Sequence, residues 1–157
     1  MLKVGDVVDA EVTNVQVFGM FCRHCDEEIL VLIPETSWIA SCSSCRRFAQ
    51  LGDRLKVKIL HIDVVSRKIA ATIKGQHPNP WQTDELCVGA YHHARIVRYL
   101  EESEYDQRGY LIELVPGGYA MLYDQQASFV PGDHVSVIIQ SSNPEKLAVD
   151  VAIATGS

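Results

Sequence analysis

Apolar and polar residues alternate along most of the chain. Val8, Ala10 and Val12 are separated by Asp9, Glu11 and Thr13, the pattern of a strand with one face buried. The alternation returns at Leu55, Val57 and Ile59 among Arg54, Lys56 and Lys58, and again at Ile69, Ala71 and Ile73. Between these runs, two β-rich stretches within Val15 to Trp38 flank the polar patch Arg23 to Glu28 and predict a hairpin. The sequence Phe18-Gly19-Met20-Phe21 places a glycine inside a strand. A glycine there predicts a bulge or a close backbone approach. A bulge would let Phe18 and Phe21 share a face, which strict alternation forbids. Residues 39–50 read as a loop or short helix, Asp63 to Ser66 as a turn, and Pro78-Asn79-Pro80 as the end of the fifth strand. Five short strands in about 75 residues, with one irregular connection, is the spacing of an OB-type barrel.

The pattern then restarts. Val88-Gly89-Ala90 echoes Val4-Gly5-Asp6, and Pro131-Gly132-Asp133 echoes Leu51-Gly52-Asp53. A second hairpin, Tyr110 to Leu114 and Tyr119 to Tyr123, surrounds Pro116-Gly117-Gly118. Val135, Val137 and Ile139 alternate, as do Leu147, Val149, Val151 and Ile153. The expected architecture is all-β, two tandem five-stranded OB-fold antiparallel barrels, over residues 1–77 and 86–157 with a linker at 78–85. The second copy is altered.

Charge separates the halves. The net charge is −6. Residues 1–80 hold ten Lys or Arg against nine Asp or Glu, whereas residues 81–157 hold four against eleven. The first half can approach phosphate, and the second is repelled by it unless its charges point away. The composition, 47% hydrophobic and 22% charged, is that of a globular protein. No apolar run approaches the roughly 18 residues that span a bilayer, and the N-terminal residues lack a signal-peptide core. A cytoplasmic protein with no membrane partner is expected.

The cysteines carry two readings. Cys22-x-x-Cys25 and Cys42-x-x-Cys45, sixteen residues apart, have the spacing of a four-thiolate zinc site. Alternatively, Cys22 follows Phe21, so an exposed ring would turn Cys22 into the barrel as a small buried apolar group. Arg46-Arg47-Phe48 is a basic-aromatic cluster that would extend a nucleic-acid path. Lys56 and Lys58, with Arg54, form a basic stripe on one strand face. His92 and His93 are adjacent in a strand and point to opposite faces. No phosphate-binding loop, dinucleotide fingerprint, metalloprotease motif or nucleophile elbow is present in the sequence. A non-catalytic protein is expected.

The ordered series Val4-Gly5-Asp6-Val7-Val8, Phe18-Gly19-Met20-Phe21, Leu30 to Trp38, Leu51 to Leu60, Ile62-Asp63 and Lys68 to Lys74 resembles the S1-type RNA-binding domain over residues 3–75. That resemblance implies a five-stranded barrel binding single-stranded RNA on one face. It assigns Phe18 and Phe21 to the paired aromatics, Asp63 to the acidic position and Lys68 to the basic one, with Arg67 beside it. The family's histidine position falls on Leu32, a departure, and His61 is a nearby imidazole. In the second copy the aromatic positions fall near Arg108 and Leu111, and the first connection is swollen with Glu101, Glu102, Glu104 and Asp106. This copy is expected to keep the barrel, lose the RNA face, and meet a protein partner or a second copy of the chain. The competing reading is a protein-interaction module whose RNA face is vestigial, with or without zinc.

Overall fold

The computed structural model describes residues 2–40, 48–100, 109–123 and 128–154. They fall into two compact units. The first contains β1 (Val7–Val15), β2 (Gly19–His24), β3 (Glu27–Leu32), β4 (Arg54–Asp63) and β5 (Lys68–Thr72). They form a closed barrel in the order β1-β2-β3-β5-β4. Every neighbouring pair is antiparallel except β3 and β5, which close the barrel in parallel through Ile29↔Ile69 and Leu30↔Ala70. The alternating apolar residues point inward: Ala10, Val12, Met20, Cys22, Ile29, Val31, Val57, Ile59, Ile69 and Ala71 are all buried. This enclosed apolar surface holds the unit together, at about 1.5–3 kcal/mol for each fully buried large side chain.

The second unit contains β6 (Tyr91–Leu100), β7 (Gly109–Val115), β8 (Gly118–Tyr123), β9 (His134–Asn143) and β10 (Ala148–Ile153). Its order, β10-β9-β6-β7-β8, repeats that of the first unit but lacks the ladder that would close it between β8 and β10. The repeated sequence motifs are repeated turns. Gly5 N–H donates to Ile59 O and Gly89 N–H to Ile139 O; Gly52 N–H donates to Val12 O and Gly132 N–H to Ile96 O. Gly5, Gly52, Gly89 and Gly132 all have φ between +88° and +96°, where a side chain is strained. The bulge of β1 recurs too, between Val12 and Asn14 in β1 and between Ile96 and Arg98 in β6.

The first unit ends at His77, where the sequence pattern ends the first barrel, but the second unit takes in more than residues 86–157. Trp38, Ile39 and Ala40 belong to the second unit, as do residues 78–85. The Trp38 N–H donates to Gly117 O (2.9 Å), just before β8, and the Ala40 N–H donates to Leu147 O (2.7 Å), just before β10. The segment therefore spans the opening between the two unpaired strands. Ile39 is 2% exposed within the second core, beside Gly118. Trp81, in the expected linker, packs against the same core and donates its indole N–H to Trp38 O at 2.7 Å. Hydrophobic pattern reports that a residue is buried, but not in which core.

The bulge expected at Gly19 is not there. β2 and β3 pair without a shift from Gly19↔Leu32 to His24↔Glu27. The shifts lie on the flanking strands, between Val12 and Asn14 of β1 and between Ile59 and His61 of β4. Gly19 is instead a close-approach position: a Cβ there would sit 2.8 Å from Val31 O.

Candidate nucleic-acid interface

With Met20 and Cys22 facing the core, Phe21 and Arg23 face out of the barrel. Register extends that outer surface across four strands. Phe21 on β2 pairs with Leu30 on β3, Leu30 with Ala70 on β5, and Ala70 with His61 on β4. These four residues form one continuous row, partly or fully exposed. His61 joins it because the irregularity between Ile59 and His61 inverts the alternation of β4. Simple periodicity does not show that inversion, so the row is invisible from β4 alone.

Phe18 lies just before β2, where the chain bends, and is 53% exposed. Its ring meets that of Phe21 edge-on, with centroids 6.4 Å apart and planes at 86°. The two aromatics do share a surface, brought there by the bend before Gly19. Leu32, 43% exposed, extends the apolar surface at the family's histidine position. Phe21, Leu30, Ala70 and His61, with Glu28, Ser66, Arg67 and Lys68, line a groove of about 440 Å³.

The turn between β4 and β5 positions the cations. Asp63 Oδ1 accepts the Val65 N–H at 3.0 Å and the Ser66 N–H at 3.3 Å. The Ser66 side chain, then these amides, hold its carboxyl below the ordinary carboxylate range. This is an Asx-type turn. Asn143 Oδ1 makes the same two bonds, to Glu145 and Lys146, in the second unit. Asp63 thus shapes the turn that presents Arg67 and Lys68. Arg67 has φ +58°, a conformation a non-glycine residue seldom adopts. Its counterpart in the second unit, Leu147, has φ +55°.

Other expected site residues lie elsewhere. Lys56 and Lys58 are opposite Asp9 and Val7 of β1 and do not line the groove. Arg46 and Arg47 are outside the described residues, and Phe48 is buried. Cys42 and Cys45 are also outside them. Cys22 is 0% exposed on the inner face of β2, and burial pushes its thiol up to about 11. Cys25 occupies the exposed hairpin turn with φ +54°. A thiol sealed inside the barrel and one at its exposed rim do not fit ligands converging on one ion, which must both be thiolates. No group of three or more His, Cys, Asp or Glu able to hold a metal occurs among the described residues.

The second unit does not present the equivalent row. After the matching bulges, Asn14 pairs with Phe21 and Arg98 with Leu111. Leu111 pairs with Met121, and these are 0% and 9% exposed. The position equivalent to Phe18 is Arg108, outside the described residues. No described helix is long and apolar enough to cross a membrane.

The chain is similar to several known proteins. The chain is 27% identical over 127 residues to a small ribosomal subunit protein bS1 homolog of Bacillus cereus, covering 80% of this chain and 31% of that protein. It is 32% identical over 84 residues to small ribosomal subunit protein bS1 of Chlamydia trachomatis, covering 53% and 15%. It is also 25% identical over 158 residues to 4-hydroxy-3-methylbut-2-enyl diphosphate reductase of Clostridium acetobutylicum, covering 92% and 24%. The chain thus spans about a quarter to a third of the relatives it matches along most of its length. Among solved structures, GSP13 from Bacillus subtilis is similar with TM-score 0.44 and 22% identity, over 57% of this chain and 78% of that one. Residues 2–74 match the family described as S1 RNA binding domain, and the first unit of this chain is an S1 RNA-binding domain.

Proposed function

We propose that the chain binds single-stranded RNA, without catalysing a reaction on it, along the outer row of its first unit. The observation that carries this is the Phe21–Leu30–Ala70–His61 row, with Phe18 edge-on at one side and Arg67 and Lys68 within the same groove. A base stacks on Phe21 and a neighbouring base on Phe18, each contact contributing about 1–3 kcal/mol. Arg67 meets phosphate, and Lys68, beside Glu28 at the groove edge, adds a second cation. The open, shallow surface suits splayed bases of a single strand; duplex RNA keeps its bases stacked inside the helix. With one phosphate contact, the logarithm of the binding constant falls by about 0.7 per tenfold rise in salt, and more as further cations reach the strand. Similarity to bS1 ribosomal proteins supports RNA as the partner. The protein-facing alternative has no comparable row of exposed residues among those described in the second unit.

Backbone amide shifts of the intact protein, titrated with a single-stranded RNA, test the location. Shifts concentrated in β2, β3, β5 and the turn at residues 63–68 are expected. Shifts confined to the second unit would overturn the proposal.

A further inference from the structure

We infer that Glu28 makes the Phe21 groove selective for the base it holds, favouring guanine and disfavouring uracil. This rests on the RNA-binding reading above and names the ligand of that same groove. Glu28 lines the groove with Phe21 and Lys68. In the β2–β3 ladder Phe21 faces Leu30 and Arg23 faces Glu28, so Glu28 is the diagonal neighbour of Phe21 on the same outer surface. Diagonal neighbours in an antiparallel pair are about 7–8 Å apart. A planar base lying on the Phe21 ring therefore brings its edge to the Glu28 carboxylate, while its face stays stacked.

Chemistry selects among the four bases. An ionised carboxylate only accepts hydrogen bonds, and a lysine ammonium only donates them. Ile29 pairs with Ile69 in the parallel β3–β5 ladder, so Glu28 and Lys68 stand side by side, one residue earlier on each strand. The edge of the groove thus offers an acceptor beside a donor. Guanine fits best: N1–H and N2–H can bond both oxygens of one carboxylate, with O6 next to them for the ammonium. Cytosine and adenine each offer one amino group to the carboxylate and a ring nitrogen to the ammonium. Uracil offers only N3–H, set between two carbonyl oxygens that a carboxylate repels. The order expected is guanine first, cytosine and adenine together, and uracil last. A two-bond contact of this kind discriminates by roughly tenfold or more.

The test uses the intact chain and four twelve-nucleotide RNAs, uridine throughout except for one central position carrying G, A, C or U. Anisotropy titrations at fixed salt give the four affinities. The expected result is that the guanine strand binds roughly tenfold tighter than the all-uridine strand, and that Glu28→Gln erases most of this gap. Equal binding of all four strands by the parent would overturn the inference while leaving RNA binding intact. A gap that survives Glu28→Gln would also overturn it. If Glu28 only pairs with Arg23 across the hairpin, Glu28→Gln lowers the melting temperature and leaves the base order unchanged, a third outcome against it. Failure of every strand to bind at low salt would refute the RNA-binding reading and this inference together.

Discussion

Replacing Ile39 with alanine should unfold the second unit at markedly lower denaturant. Ile39 lies far from β6–β10 in sequence, yet only 2% of it is exposed and it packs in their core. Its Cδ1 would be 3.1 Å from a Cβ on Gly118, so the isoleucine occupies the space that the glycine leaves. Alanine removes three carbons, about 2.4 kcal/mol at about 0.8 kcal/mol each. The cavity left behind brings the expected loss to about 3 kcal/mol, within the usual 2–5 kcal/mol for such truncations. The two tryptophans, Trp38 and Trp81, are both in the second unit. Tryptophan fluorescence in urea therefore reports that unit alone, while far-ultraviolet circular dichroism reports both. At a slope of about 1.5 kcal/mol/M the fluorescence midpoint should fall by about 2 M. A fall below about 0.5 M would show that residues 38–40 rest on the unit without completing it, and would refute the reasoning.

Four further outcomes are expected. Gly19→Ala puts a Cβ 2.8 Å from Val31 O and 3.3 Å from Leu32 Cα; the backbone must shift, so the first unit should lose about 1–3 kcal/mol, read from circular dichroism melting. Asp63→Asn should keep the melting temperature within a degree or two, because Asn143 makes the same turn, whereas Asp63→Ala should lower it by leaving two amides without their acceptor. Burial raises the Cys22 thiol to about 11, so the folded state keeps a proton that the unfolded state releases near pH 9. The first unit's stability should therefore be full below about pH 9 and decline toward pH 11, and that decline should be smaller in Cys22→Ala. In alkylation at pH 8, Cys25 and Cys87, both exposed, should react while Cys22 does not.

How far the sequence reveals this molecule depends on whether the relevant physics is local. Alternation is local, so β1, β4, β5 and β9 announce their inward residues; β7 is buried at nearly every position, and β10 leaves Val149, Val151 and Ile153 only half-buried. The repeated glycine turns are local as well, and both copies form with matching hydrogen bonds. Phe18 and Phe21 were legible as a pair, although a bend joins them where a bulge was expected. Two other features are not local. His61 reaches the row through an irregularity within β4, whose alternation gives no warning of it. Ile39 joins a core built mostly from residues 81–153, and a run of small and polar residues around it hides its partners. The Cys22–Cys25 spacing is equally silent about place: it spans the step from a buried strand position to an exposed turn.

The central claim is that an exposed aromatic row with adjacent cations binds single-stranded RNA. Its most direct test is an anisotropy titration of a fluorescently labelled twelve-nucleotide mixed-sequence RNA with the intact protein and with its Phe18→Ala/Phe21→Ala variant, at low and high salt. Phe18 is 53% exposed and Phe21 half-buried on the outer face, so the variant should remain folded by circular dichroism. The account predicts binding by the parent that weakens as salt rises, and a loss of at least tenfold in the variant, from the removed stacking of about 1–3 kcal/mol per base. Equal binding by a folded variant, or no binding by the parent at low salt, would contradict it.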